Sequence, residues 1–330
     1  MDDYELPIER AQSLAQHIGD LSLNSCTSLS EQAATVLGKH KGGTLWLNGL
    51  RGLSAAAAAA LAGHEGALSL DGLTSLADDA AAALRRFTHG LSLDGLTSLS
   101  DSAAESLASH EGPLWLNGLP TLSDRAAAAL GRHNGSLWLN GLTALSPAAA
   151  GGLARLGNFL SLDGITGLSA DAAAALAAHP GDLSLDGLEA LTDDVAAALG
   201  RHRGMLRLSG IETLSDAAAR GLAQRSRVLV LNGLSTLPDA IADALAAHEG
   251  LLYLNGVPDL SPSAAARLAQ HAGDLYLEGL PTLHPEVARE LAHHTAWLYL
   301  NGLTSLSDGG AAALRSKPGL ALPERLLAAR

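Results

Sequence analysis

The chain has 330 residues, with 34 Asp and Glu against 21 Lys and Arg, for a formal charge of −13. That balance, without any run of basic residues, argues against a phosphate-binding surface and so against a nucleic-acid partner. A single cysteine, Cys26, precludes an intrachain disulfide and fits a reducing compartment.

The N-terminal stretch MDDYELPIERAQSL is acidic and lacks the basic and apolar regions of a secretory signal. No apolar run approaches the ~20 residues that span a bilayer. A cytoplasmic protein without a membrane partner is the expectation.

Residues 1–20 carry a helical segment (PIERAQSLAQHIG) with no strand before it, which suits an N-terminal cap. From residue 21 to 319 the chain repeats. Residues 91–113 (LSLDGLTSLSDSAAESLASHEGP) serve as the template, and the next unit begins LWLNGLPTLSDRAAAALGRH. Strand starts fall at thirteen leucines from Leu21 to Leu298, and eleven of the twelve intervals are 23 residues. The longer first interval is explained by one extra residue at Gly42-Gly43. Residues 320–330, with Pro323 and a short ERLLAAR tail, read as a C-terminal cap of the same single domain.

Each unit opens with an alternating Leu-x-Leu strand, breaks at an Asx-Gly dipeptide, and continues through an Ala-rich helix. Ser or Thr stands at the helix N-cap in most units, for example Ser100, Ser123, Ser146 and Thr192, with Asp or Pro in the first turn. Glycines such as Gly66, Gly112, Gly181 and Gly250 follow the helix and are expected to let the chain turn back.

This pattern resembles a leucine-rich repeat (LRR) protein of the bacterial 23-residue kind, with LxLxGLxxL before the helix. It departs from the common LRR motif in carrying Gly95 and Leu96 where that motif has an inward Asn. The resemblance implies an α/β solenoid of about 13 repeats, a parallel sheet on the concave side of a curved horseshoe or arc, and helices on the convex side. Unequal spacing of strands, ~4.8 Å, and helices, ~8–10 Å, would produce that curvature. The resemblance also implies a non-catalytic module that binds a protein or peptide.

Three columns of the repeat carry candidate chemistry. The first is the outward strand position, which reads Ser22, Trp46, Ser69, Ser92, Trp115, Trp138, Ser161, Ser184, Arg207, Val230, Tyr253, Tyr276, Tyr299. Six of the ten aromatic residues lie there, so the column is the expected recognition surface. Flanking outward positions add Leu251, Asp274 and Trp297 before it, and Asn255, Glu278 and Asn301 after it. Cross-strand stacking that only stabilises the sheet would use the same residues. Carbohydrate binding on the rings and self-association through the strip are alternative uses.

The second column is the Asx before glycine, read as turn chemistry. Its adjacent pairs Asp71/Asp94 and Asp163/Asp186 leave cation binding as a lesser alternative. The third is a row of ten histidines four or five residues before each strand (His17, His40, His64, His110 and onward). It is read as structural, each His bonding the last helical carbonyls and complementing the dipole. No HExxH, GxSxG, Walker A or GxGxxG motif is present. An enzyme, a cofactor or a bound metal is therefore not expected.

Overall fold

The computed structural model describes residues 4–224 and 227–327. The chain divides into two compact units, residues 1–165 and 166–330. In the first, parallel strands follow one another in chain order: β1 (Leu21–Ser22), β2 (Lys41–Trp46), β3 (Glu65–Ser69), β4 (Leu91–Ser92), β5 (Leu114–Trp115), β6 (Leu137–Trp138) and β7 (Leu160–Ser161). The second repeats this with β8 (Leu183–Ser184), β9 (Met205–Arg207), β10 (Val228–Val230), β11 (Leu251–Tyr253), β12 (Leu275–Tyr276), β13 (Leu298–Tyr299) and β14 (Leu320–Ala321). Register is strict: Leu91 pairs with Leu114, Leu114 with Leu137, and Leu252 with Leu275. The extra residue of the first interval lies where expected. Gly42 and Gly43 take φ of 74° and 68°, and the β2–β3 register shifts between Lys41 and Thr44. Leu320–Ala321 still pairs with Leu298–Tyr299, so strand pairing reaches into the segment read as the C-terminal cap.

The template repeat shows why the pattern folds. Leu91, Leu93 and Leu96 are fully buried, and so are Ala103, Ala104 and Leu107 of the following helix, Asp101–Leu107. The helical positions i, i+1 and i+4 form one apolar face, and the two strand leucines share the inward side of the pleat. The helix is two turns long and stops short of His110. A helix this short is not stable alone, so its stability comes from neighbouring repeats.

Capping joins the repeats. Ser123 Oγ accepts the Ala126 N–H at 2.9 Å and donates to Asp101 Oδ1 of the preceding helix at 2.5 Å. Ser215 and Ser261 make the same pair of bonds, using Asp193 and Asp239. The first-turn aspartates thus hold the next repeat's cap as well as complementing their own helix. Ser123→Ala removes both bonds and should cost about 1–2 kcal/mol, measurable as a lower urea midpoint at unchanged m-value.

The glycines after the helices act differently from the expectation. Gly66, Gly112 and Gly250 have no positive φ. A Cβ on Gly112 would instead lie 2.2 Å from the His89 carbonyl oxygen. Close approach of one repeat's backbone to the next is what demands glycine there.

Candidate functional site: the outward face of the strands

Two columns, one half-buried and one buried, define the scaffold of the face. The Asx residues before glycine form a side-chain ladder that runs from repeat to repeat. Asn48 Oδ1 accepts the Asp71 N–H at 2.9 Å, and Asp71 Oδ1 accepts the Asp94 N–H at 3.0 Å. Asp94 and Asn117 continue it to Asn117 and Asn140 at 2.8 and 3.0 Å. In the second unit Asn232 serves Asn255, and Asn255 serves Glu278. The turn reading of this column is therefore corrected in one respect: the backbone group satisfied lies 23 residues away, in the next repeat. This Asx position performs the repeat-to-repeat bonding that Gly95 and Leu96 cannot.

The histidines of the row lie inside, except His17, which is exposed. His40, His64, His110, His133, His179, His202, His248, His271 and His294 are buried, and adjacent rings stack, as in His110–His133 at 5.8 Å and His271–His294 at 6.1 Å. His64 and His110 each donate from Nδ1 to the carbonyl of the residue one repeat earlier, His40 at 2.9 Å and Phe87 at 2.5 Å. That corrects the expected bonding to the helix's own last carbonyls. Burial, reinforced by the neighbouring His110, lowers the His133 pKa to about 4, and burial beside His271 lowers His248 to about 4. Neutral rings cannot complement a dipole as cations, so that part of the expectation fails as well.

Phe87 occupies the same slot between His64 and His110. At the far end Lys317 fills it, and its buried Nζ donates to the carbonyls of His294, Ala296 and Pro318 at 2.7–2.9 Å. Burial lowers the lysine pKa. Neither residue was singled out in the sequence, although both keep the 23-residue spacing from the histidines.

On the outward face, the structure gathers the predicted residues into groups. Tyr253 and Tyr276 stack at 3.9 Å, Tyr276 and Tyr299 at 4.1 Å, and Trp297 lies 6.0 Å from Tyr299. Burial raises the Tyr276 pKa, and the hydroxyls of Tyr253 and Tyr299 on either side add to this. Trp297 is 50% exposed and stands out from the strip. Leu251 is half-buried on β11, two residues before Tyr253. Asp274, Asn255, Glu278 and Asn301 are tied into the scaffold. Asp274 Oδ1 accepts the Trp297 N–H at 3.1 Å, and Asn301 Nδ2 donates to Glu278 Oε1 at 2.7 Å.

A second group pairs Trp115 with Trp138 at 4.7 Å and adds Phe159, tilted 55° against Trp138. Phe159 precedes its strand as Trp297 does, a signal available in the sequence but not used. Trp46 stands apart, on β2. Arg207 is paired with Asp186, Nε and Nη2 lying 3.0 and 2.7 Å from Oδ2. Ser69, Ser161 and Ser184 are buried. Ser69 Oγ lies within hydrogen-bond reach of Asn48 and Asp71, and Ser161 Oγ of Asn140 and Asp163. At Ser69 and Ser161 the outward position braces the Asx ladder instead of facing solvent.

Among the described residues no group of three or more His, Cys, Asp or Glu is arranged to hold a metal ion. No helix there is long and apolar enough to cross a membrane.

In-register parallel strands, helical returns of constant length and a ladder linking neighbouring repeats within each unit define the class. The chain is a leucine-rich repeat protein with an α/β solenoid fold. No protein-family model and no curated protein sequence matches it. Solved structures similar to it include an internalin from Listeria monocytogenes, at 18% identity over 96% of this chain and 88% of that chain, with a TM-score of 0.49. TLR13 in complex with ssRNA13 matches at 18% identity over 96% of this chain, with a TM-score of 0.57. The Drosophila Toll–Spatzle complex matches at 16% identity over 88% of this chain, with a TM-score of 0.57. The chain spans 52% of the TLR13 chain and 42% of the matched Toll–Spatzle chain. At these identities the likeness concerns the fold.

Proposed function

We propose that the protein is a non-catalytic recognition module that binds a protein or peptide on the outward face of its strands. The principal contact would be the strip of Tyr253, Tyr276, Tyr299 and Trp297. The observation that carries this reading is the strip itself: three rings in register on successive strands, continued by a half-exposed indole. Tyr and Trp are the residues that dominate protein interfaces, because a rigid ring gives a large contact at little entropic cost.

Ring geometry favours a polypeptide over a sugar. Tyr276 is sandwiched at 3.9 and 4.1 Å, so both its faces are taken and it offers only its edge and hydroxyl. Among the structural neighbours, the TLR13 structure is a complex with ssRNA13 and the Toll structure a complex with Spatzle. A formal charge of −13 favours a protein ligand over RNA for this chain.

The test uses Tyr276→Ser with Trp297→Ala. Serine is native to this column at Ser92 and Ser161, so the fold should tolerate it. A partner captured from lysate by the wild-type chain, then identified and purified, should bind the double variant at least about tenfold more weakly, with the melting temperature lowered only a few degrees. Unaltered affinity would place the contact elsewhere, and global unfolding would make the strip structural.

A further inference from the structure

A cavity of about 300 Å³ opens on the outward face of the first unit, well removed along the sequence from the tyrosine strip. Trp46 on β2 forms one wall and Trp115 on β5 the other. Ser69 and Ser92, on the two intervening strands, form the floor, and Asp71 and Asp94 border it. Three strand spacings of ~4.8 Å separate the walls, about 14 Å between backbones, which the two indoles narrow. Trp115 covers Gly90, since a Cβ there would lie 3.0 Å from its Cζ3. One face of Trp115 rests on Trp138, and the other is left to the slot.

The carboxylates are incompletely used. Asp71 Oδ1 already accepts from Ser92 Oγ at 2.5 Å and from the Asp94 N–H at 3.0 Å. Asp71 Oδ2 lies 2.8 Å from Ser69 Oγ, and the two oxygens of Asp94 receive one bond each, from Asn117 N and Nδ2. Each oxygen accepts about two bonds, so at least three positions remain open across the pair, whichever of Asn48 and Asp71 takes the single Ser69 proton. Neither carboxylate has an ion-pair partner among the described residues. The second unit shows what such a carboxylate binds. There Arg207, projecting from the outward column, reaches back to Asp186 of the same Asx ladder at 2.7 Å. No basic residue occupies the outward column of β2 to β5.

We propose that this slot binds the alkylammonium group of a lysine side chain presented by a partner polypeptide. The open acceptor positions suffice for the three N–H donors of the ammonium, and its charge is attracted to the indole faces. The methylene stem lies against the walls as it descends. This site is independent of the tyrosine strip, and the two proposals can fail separately.

The test follows the four indole N–H signals of the full chain in ¹H–¹⁵N spectra, assigned by single Trp→Phe variants. Butylammonium chloride, and an acetylated and amidated Gly-Ser-Lys-Ser-Gly peptide, should shift Trp46 and Trp115 saturably while Trp297 stays fixed. The neutral analogue n-butanol should not shift them. Asp71→Asn with Asp94→Asn removes the charge and keeps the ladder, because Asn48 and Asn117 already serve as rungs. That variant should weaken butylammonium at least about tenfold. Trp46→Leu leaves the carboxylates in place and should weaken it as well. The proposal is overturned if butanol acts as strongly as butylammonium, if calcium chloride shifts the indoles and butylammonium does not, or if both variants bind like the wild type.

Discussion

Between pH 6.5 and 4.5 the protein should lose most of its stability, and this loss should be traceable to the buried histidines. An unfolded histidine titrates near 6.5, whereas burial holds His133 and His248 near 4 in the folded chain. Burial also lowers the pKa of His40, His110, His202, His271 and His294. As pH falls below 6.5 the unfolded chain takes up protons that the folded chain cannot, so stability is complete above that pH and declines towards 4. A shift of that size is worth up to about 3 kcal/mol for each of His133 and His248 once both states are protonated, and the other lowered histidines act in the same direction. The total is comparable to the whole stability of many domains, about 5–15 kcal/mol.

Thermal melts at pH 7.5, 6.5, 5.5 and 4.5 read this directly. The window lies above the ordinary carboxylate range, which separates the histidines from the aspartates of the ladder. His133→Phe with His248→Phe should flatten the pH dependence, because Phe87 already fills the same slot. A melting temperature constant from pH 7.5 to 4.5 would show that the ladder accepts protons without cost.

The second large effect concerns a glycine. Gly95→Ala should destabilise the protein by about 3 kcal/mol or more, at the upper end of ordinary overpacking. Its added Cβ would sit 2.0 Å from the Asp71 carbonyl oxygen and 2.8 Å from that of Leu73. Both obstacles are backbone, so a whole repeat must move, and the Asp71–Asp94 rung of the ladder moves with it. Gly157→Ala is the matching control. That residue has no atom within 4 Å of a built Cβ and no positive φ, so alanine there should be neutral or stabilising by up to about 1 kcal/mol. Urea denaturation of the two variants measures the contrast. Equal midpoints would mean that adjacent repeats slide apart easily.

The repeat was legible because its signals are local. Leu91 and Leu93 alternate within one strand, and Ser100 caps a helix that begins at the next residue. The purpose of the Asx column was less legible, because its partner is another copy of the same residue a full period away. Histidine was correctly read as scaffold from its regular recurrence, but its chemistry depends on direction. A residue just past a helix reads as exposed, while His110 is buried against the core. Lys317 was overlooked for the same reason, since a lysine near a chain end ordinarily faces water. The outward column could be found by strand alternation. That its buried serines brace the ladder could not, because the bond from Ser69 to Asn48 crosses between repeats.

The Asx ladder has one more consequence, for how the array comes apart. Each rung reaches forward, from a side chain to the next repeat's backbone, and position 209 holds serine in place of Asx. Its hydroxyl is too short for the reach, and Ser209 Oγ is buried without a hydrogen-bond partner. Repeat arrays hold together through nearest-neighbour coupling, so the weakest junction sets where cooperativity ends. The junction after Ser209 is thus a built-in seam. Amide hydrogens flanking it should exchange in a separate, earlier phase, as two blocks of repeats begin to open independently.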